Sequence, residues 1–151
     1  MTTARQRAGV VGVGYEGRDV EQFVDELLAA RVDVVVDVRL TPISRKRGFS
    51  KRALAEYLEA AGIRYEHLRA LGNPKDNRAA FSGDSDELHA ALDRYSTLLA
   101  DADAAAALDR VTELAASERV AVLCFEAHDH RCHRQVVLSR VDEQLRTFGV
   151  Y

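Results

Sequence analysis

From its amino end the chain alternates short apolar runs with segments whose apolar residues recur every three or four positions. The run AGVVGVGY (residues 8–15) is short and carries glycines that admit close backbone approach, so it predicts a buried strand. Asp19 with Gln22 three residues on has the form of a capping box, and Val20, Phe23, Val24, Leu27 and Leu28 then share one helical face. VDVVVDVRL (residues 32–40) is β-branched and almost continuously apolar, as a strand covered on both sides is. Ser50 is placed to cap a helix bearing Leu54, Tyr57, Leu58 and Ala61 and ended by Gly62. A weaker strand over residues 63–68 follows. The stretch LGNPKDNRAAFSGD (residues 71–84) has no period and is long for a connection, which marks it as a functional or mobile loop. Two helices are predicted next, one from Leu88, Leu92, Tyr95 and Leu99, the other from Leu108, Val111 and Ala115. RVAVLCFE (residues 119–126) reads as the last strand. A closing helix from about Cys132 sets Val137, Leu138, Val141, Leu145 and Phe148 on one face.

Strands that alternate with helices imply parallel neighbours, because a parallel pair needs a crossover and the crossovers cover the sheet. The expected fold is α/β: a single three-layer α/β/α sandwich around a short, mainly parallel sheet of about four strands, Rossmann-like, with residues 1–151 as one domain.

Composition narrows the functional classes. Of 151 residues, 47% are apolar and 30% charged, with few glycines and prolines, which is a globular rather than a disordered profile. Two cysteines are too few for a secreted disulfide framework and no signal region precedes the first strand, so a cytoplasmic protein with reduced thiols is expected. No apolar run approaches the roughly 20 residues needed to span a bilayer, so no membrane partner is expected. The net charge is −3, yet RLTPISRKRGFSKR (residues 39–52) holds six of the 21 basic residues and no acidic one. The rest of the chain therefore carries 15 basic against 24 acidic residues, net −9. A basic patch on an acidic body suits an anionic partner engaged at one place.

The chemistry-bearing residues fall at the carboxyl ends of the predicted strands, where open parallel sheets bind ligands near a reversal of strand order. Tyr15 follows the first strand, Asp37 and Arg39 close the second, and Cys124 and Glu126 close the last. Cys132, His133 and Arg134 then open the final helix, whose unpaired N–H groups favour an anion or a thiolate. The expected site has Cys132, Glu126, His133 and Cys124 as catalytic groups. Tyr15, Asp37, Arg39, Arg45, Lys51 and Arg134 are expected to bind the ligand, a phosphate- or nucleotide-type anion. Four other readings stay open. Asp37 and Arg39 can simply pair with each other, and Cys124 can be a packed apolar residue. The basic loop can hold nucleic acid without catalysis. Cys124, Cys132, His133 and Glu126 are ligand types that suit zinc, but neighbours on a helix diverge by about 100°, so no metal ligand is assigned, and His128 and His130 read as exposed loop residues. No cofactor is indicated.

Taken together, VGYEGR (residues 13–18), DVRLTPISRK (37–46), GFSKRALAEYLEAAGIRYEHL (48–68), LGNPK (71–75) and CFEAHDHRCHR (124–134) resemble the family called the domain of unknown function 488. The resemblance implies a compact α/β domain in which Tyr15, Asp37, Arg39, Cys124, Glu126, Cys132, His133 and Arg134 occupy the recurring polar positions, and it implies no reaction. A more distant similarity to rhodanese-like domains weakens after Cys124, where Phe125 and Glu126 replace a short glycine-containing loop, and sulfur transfer is not expected.

Overall fold

A computed structural model describes residues 8–149. Its four strands, β1 (Gly9–Gly14), β2 (Val34–Asp37), β3 (Arg64–His67) and β4 (Arg119–Cys124), form one parallel sheet in the order β1-β4-β2-β3. The helices are α1 (Val20–Ala29), α2 (Lys51–Ala60), α3 (Ser85–Leu98), α4 (Ala102–Ser117) and α5 (Arg134–Thr147).

Alternation along the strands divides the core in two. Val34, Val36, Val120 and Val122 pack with Leu108, Val111, Val137, Val141 and Leu145 of α4 and α5. Val35, Ala121 and Leu123 pack on the other face with Phe23, Leu27, Leu54 and Leu58 of α1 and α2. Both faces of β2 and β4 are thus covered, which is why their sequences are apolar without a break. The two central strands run side by side, but the helix after β2 lies on one face and the helix after β4 on the other. Their connections diverge and leave a crevice between the strand ends, the switch point at which such sheets bind ligands.

Local signals explain most element boundaries. The Asp19–Gln22 capping box is present in full at the start of α1, and Asp84 with Glu87 forms a second one at α3. Gly62 lies just past α2 at φ 81°, a left-handed conformation that glycine adopts without strain. Ser50 stands at the expected N-cap of α2, yet its hydroxyl bonds Ser44 instead of the helix amides. It staples the basic loop. The final helix begins at Arg134 rather than at Cys132, after a 3₁₀ turn over Asp129–Arg131, and Phe148 is exposed at its far end rather than packed.

Among the described residues no helix is long and apolar enough to cross a membrane.

Candidate functional site

The crevice at the switch point is a cavity of about 130 Å³. Arg39, Leu40, Thr41 and Ile43 line it from the chain after β2, Cys124, Phe125 and Glu126 from the end of β4, and Arg131, Cys132 and His133 from the approach to α5. Tyr15 closes it from β1, and Asn73, Arg78 and Phe81 enter from the aperiodic stretch after β3.

Cys124, the last residue of β4, points to the α4–α5 face. Cys132 follows the 3₁₀ turn in extended conformation (φ −140°, ψ 148°), and His133 turns into the helical region as the N-cap of α5. This break in the helix lets two adjacent side chains converge, where a regular helical turn would splay them. His133 Nδ1 lies 3.5 Å from Cys132 Sγ and 3.9 Å from Cys124 Sγ. All three residues are buried and both cysteines are free thiols.

The other ring nitrogen decides the tautomer. His133 Nε2 is 3.0 Å from the Val38 carbonyl, which can only accept, so Nε2 carries a proton and Nδ1 is the ring nitrogen that faces the sulfurs. The edge of Tyr95 packs against the imidazole with centroids 4.9 Å apart, and Tyr95 in turn donates to the Leu71 carbonyl at 2.7 Å. The ring is held from two sides.

The sulfurs are electrostatically linked. Donation from Cys132 holds the Cys124 thiol well below the ordinary thiol range despite its burial. Burial and the charge on Cys124 push Cys132 up instead. The first proton leaves easily and the second is retained. From the sequence, a helix start favoured a Cys132 thiolate and Glu126 opposed it, which left the sign open; in the structure the Cys132 thiol lies before the first helical turn and Cys124 is the more acidic group. Burial, followed by the charge on Cys124, raises the carboxyl of Glu126, and its Oε2 is buried without a hydrogen-bond partner among the described residues.

Arg39 sits on the opposite, aromatic face of the sheet end. Its Nε and Nη2 donate to the Asp37 carboxylate at 2.9 and 2.7 Å, and its Nη1 donates to the Phe49 carbonyl at 2.6 Å and to Tyr15 Oη at 3.2 Å. Burial disfavours the guanidinium, but the bonds and charge of Asp37, with Tyr15, more than offset this and keep it firmly cationic. Asp37 is fully enclosed and also accepts from Tyr65 Oη at 2.5 Å. Arg39 therefore forms part of the wall of the crevice, held from behind by Asp37.

Arg134 is fully buried outside the cavity. Its Nε donates to Asp129 at 2.5 Å and its Nη1 to the Val13 carbonyl at 2.9 Å, tying the loop before α5 to the end of β1. Arg45 and Lys51 also lie outside the cavity lining. The structure thus brings Tyr15, Arg39, Cys124, Glu126, Cys132 and His133 around one cavity, and leaves Asp37, Arg45, Lys51 and Arg134 out of the lining.

The cations that sequence reasoning did not select are Arg78 and Arg131. Arg78 Nε reaches the Asn73 carbonyl at 3.4 Å, and Arg131 Nη1 donates to the carbonyls of Phe81 and Gly83. Among the described residues neither has a carboxylate within salt-bridge distance. The aperiodicity of residues 71–84 was the signal for Arg78; Arg131 sat inside the Cys/His-rich stretch without a spacing to distinguish it.

No curated protein and no solved structure matches the chain significantly. Residues 19–141 match the family described as Domain of unknown function DUF488. That span runs from the cap of α1 into α5 and includes β2, β3, β4 and every cavity residue named above except Tyr15. With most of its length and nearly all of its crevice inside the match, the chain belongs to the Domain of unknown function DUF488 family.

Proposed function

We propose that the crevice is an active site for a small anionic molecule, phosphate- or carboxylate-bearing. Arg78 and Arg131 would draw and orient the anion from the rim, and Arg39 would contribute its field and the wall behind it. The reacting end of the ligand would then meet the two sulfurs, with His133 and Glu126 moving protons at the floor. Asp37 and Arg134 are positioning residues in this reading, because their partners are other protein groups.

The observation that carries the reading is the cavity itself, in which two thiols, an imidazole with its tautomer set and an unsatisfied carboxyl lie beneath arginines lacking carboxylate partners. Apolar surface at Tyr15, Ile43, Phe81 and Phe125 lines the same space and suits a ligand with a ring or hydrocarbon portion.

Alkylation of the reduced protein in the presence of chelator tests it. Inorganic phosphate should slow modification of the thiols, and Arg78→Ala should raise the phosphate concentration required by roughly tenfold or more, as loss of a charge-assisted bond does. Alkylation rates that ignore phosphate up to high concentration would remove the anion site.

A further inference from the structure

We infer that Cys124, Cys132 and His133 form a three-ligand site for a divalent ion of the zinc class, with the fourth coordination position open to the crevice. The catalytic meaning of that open position rests on the reading above; the ligand geometry stands on its own.

Zinc binds thiolate at about 2.3 Å and imidazole nitrogen at about 2.0–2.1 Å, so a tetrahedron with these ligands has edges of roughly 3.6 Å between nitrogen and sulfur and 3.8 Å between sulfurs. Here the nitrogen–sulfur separations are 3.5 and 3.9 Å. All three donor atoms lie within 4.8 Å of one another. Both nitrogen–sulfur edges are thus close to those that one ion requires.

The imidazole is prepared for the same task. A metal-binding histidine ordinarily donates its second N–H to a carbonyl or carboxylate, which fixes the ring and the free lone pair. The Val38 carbonyl does so here at 3.0 Å, turning Nδ1 toward both sulfurs. Charge also balances, since two thiolates neutralise a divalent cation, and both cysteines belong to the same apolar core cluster as Val36, Val38 and Val122.

Coordination stops at three protein ligands. Among the described residues the cluster comprises Cys124, Cys132 and His133, and each of them lines the cavity. Three ligands with an open position distinguish a catalytic metal from a structural one, whose four ligands come from the protein. Glu126 lines the same cavity with a buried Oε2 that lacks a donor, an acceptor that a metal-bound water would satisfy. The sulfur-rich donor set selects zinc or cobalt over magnesium or calcium.

The test uses the full chain, reduced, stripped with chelator and titrated with Co2+ as the probe. A thiolate-to-cobalt charge-transfer band with four-coordinate ligand-field absorption is expected, saturating at one ion per chain and displaced by Zn2+. Folded Cys132→Ser and Cys124→Ser should each lose charge-transfer intensity. Should those variants fail to fold, the wild-type chain still decides: one equivalent of Zn2+ should protect both thiols from a thiol-specific disulfide reagent. Absence of the charge-transfer band in the wild type, a band unchanged in folded Cys132→Ser, or thiols that react equally with and without Zn2+ would each overturn the site. Phosphate protection of the chelator-treated protein without a cobalt band sinks the metal alone, and a cobalt band without any phosphate effect sinks the anion reading alone.

Discussion

The Arg39 guanidinium spends its Nε, Nη1 and part of its Nη2 on Asp37, Tyr15 and Phe49, and so acts as a strut between the end of β2 and the loop that follows. Removing one partner of a buried pair leaves the other charged and unsolvated. Arg39→Ala should therefore lower stability by about 3–5 kcal/mol in urea unfolding. Arg39→Lys should recover only part of that, because an ammonium cannot reproduce the planar fork. A loss below about 1 kcal/mol for Arg39→Ala, the range of exposed pairs, would show that the pair is not structural. Tyr95 acts at the same scale but behind the site. Tyr95→Phe keeps the ring edge on His133 and strands the Leu71 carbonyl, a cost of about 1–3 kcal/mol. The chemistry of these residues was legible in their types and their positions at strand ends. Which cavity arginine has a carboxylate partner was not, because Arg39 and Arg78 differ in the acceptors around them and not in anything local to the chain.

At the level of elements, close backbone contact shapes the crevice. A side-chain carbon on Gly14 would stand 1.8 Å from the Glu126 carbonyl, so β1 and the turn after β4 touch through bare backbone. Around that contact Glu16 N–H donates to the Phe125 carbonyl at 2.9 Å and Ala127 N–H to the Glu16 carboxylate at 3.0 Å. Gly14→Ala should push the 125–127 turn away, at about 1–3 kcal/mol of overpacking, and abolish phosphate protection of the thiols. Retention of that protection at wild-type phosphate concentrations would show that the turn does not shape the site. Asp19→Ala, by contrast, removes a cap that does not line the crevice. It should cost about 1 kcal/mol in urea unfolding and leave thiol reactivity unchanged. Capping boxes are visible in sequence because both partners sit within four residues. The 3₁₀ turn before α5 carries no such signal, and with it went the true start of the helix and the convergence of Cys132 with His133.

Across the whole molecule the two rims of the parallel sheet differ. The carboxyl rim holds the crevice, whereas Arg64 and Glu118, at the amino ends of β3 and β4, form a bidentate pair at the other rim. Bonding to Arg64 holds the Glu118 carboxyl below the ordinary carboxylate range. A depressed folded value means stability that is present above the unfolded value and lost as pH falls through the folded one. Because the pair is half-exposed, its contribution should stay under about 1 kcal/mol at neutral pH and weaken in salt. Acid titrations of stability for wild type and Glu118→Gln should therefore differ slightly at neutral pH and converge in strong acid. A difference that grows on acidification would reverse the assignment.

The alternation of apolar runs with helical periodicity, together with the capping and glycine signals, was enough to specify an α/β fold with strands near residues 9, 34, 64 and 119, and to put the cysteine, aspartate and arginine residues at strand ends. These features depend on neighbours a few positions away. The strand order β1-β4-β2-β3, the crevice between β2 and β4, and the meeting of Cys124 with Cys132 and His133 depend on which faces the helices cover. So does the delivery of Asn73, Arg78 and Phe81 from a segment without periodicity. Such contacts are chosen by packing between distant parts of the chain, where many orders bury the same apolar residues, and only the folded arrangement selects one.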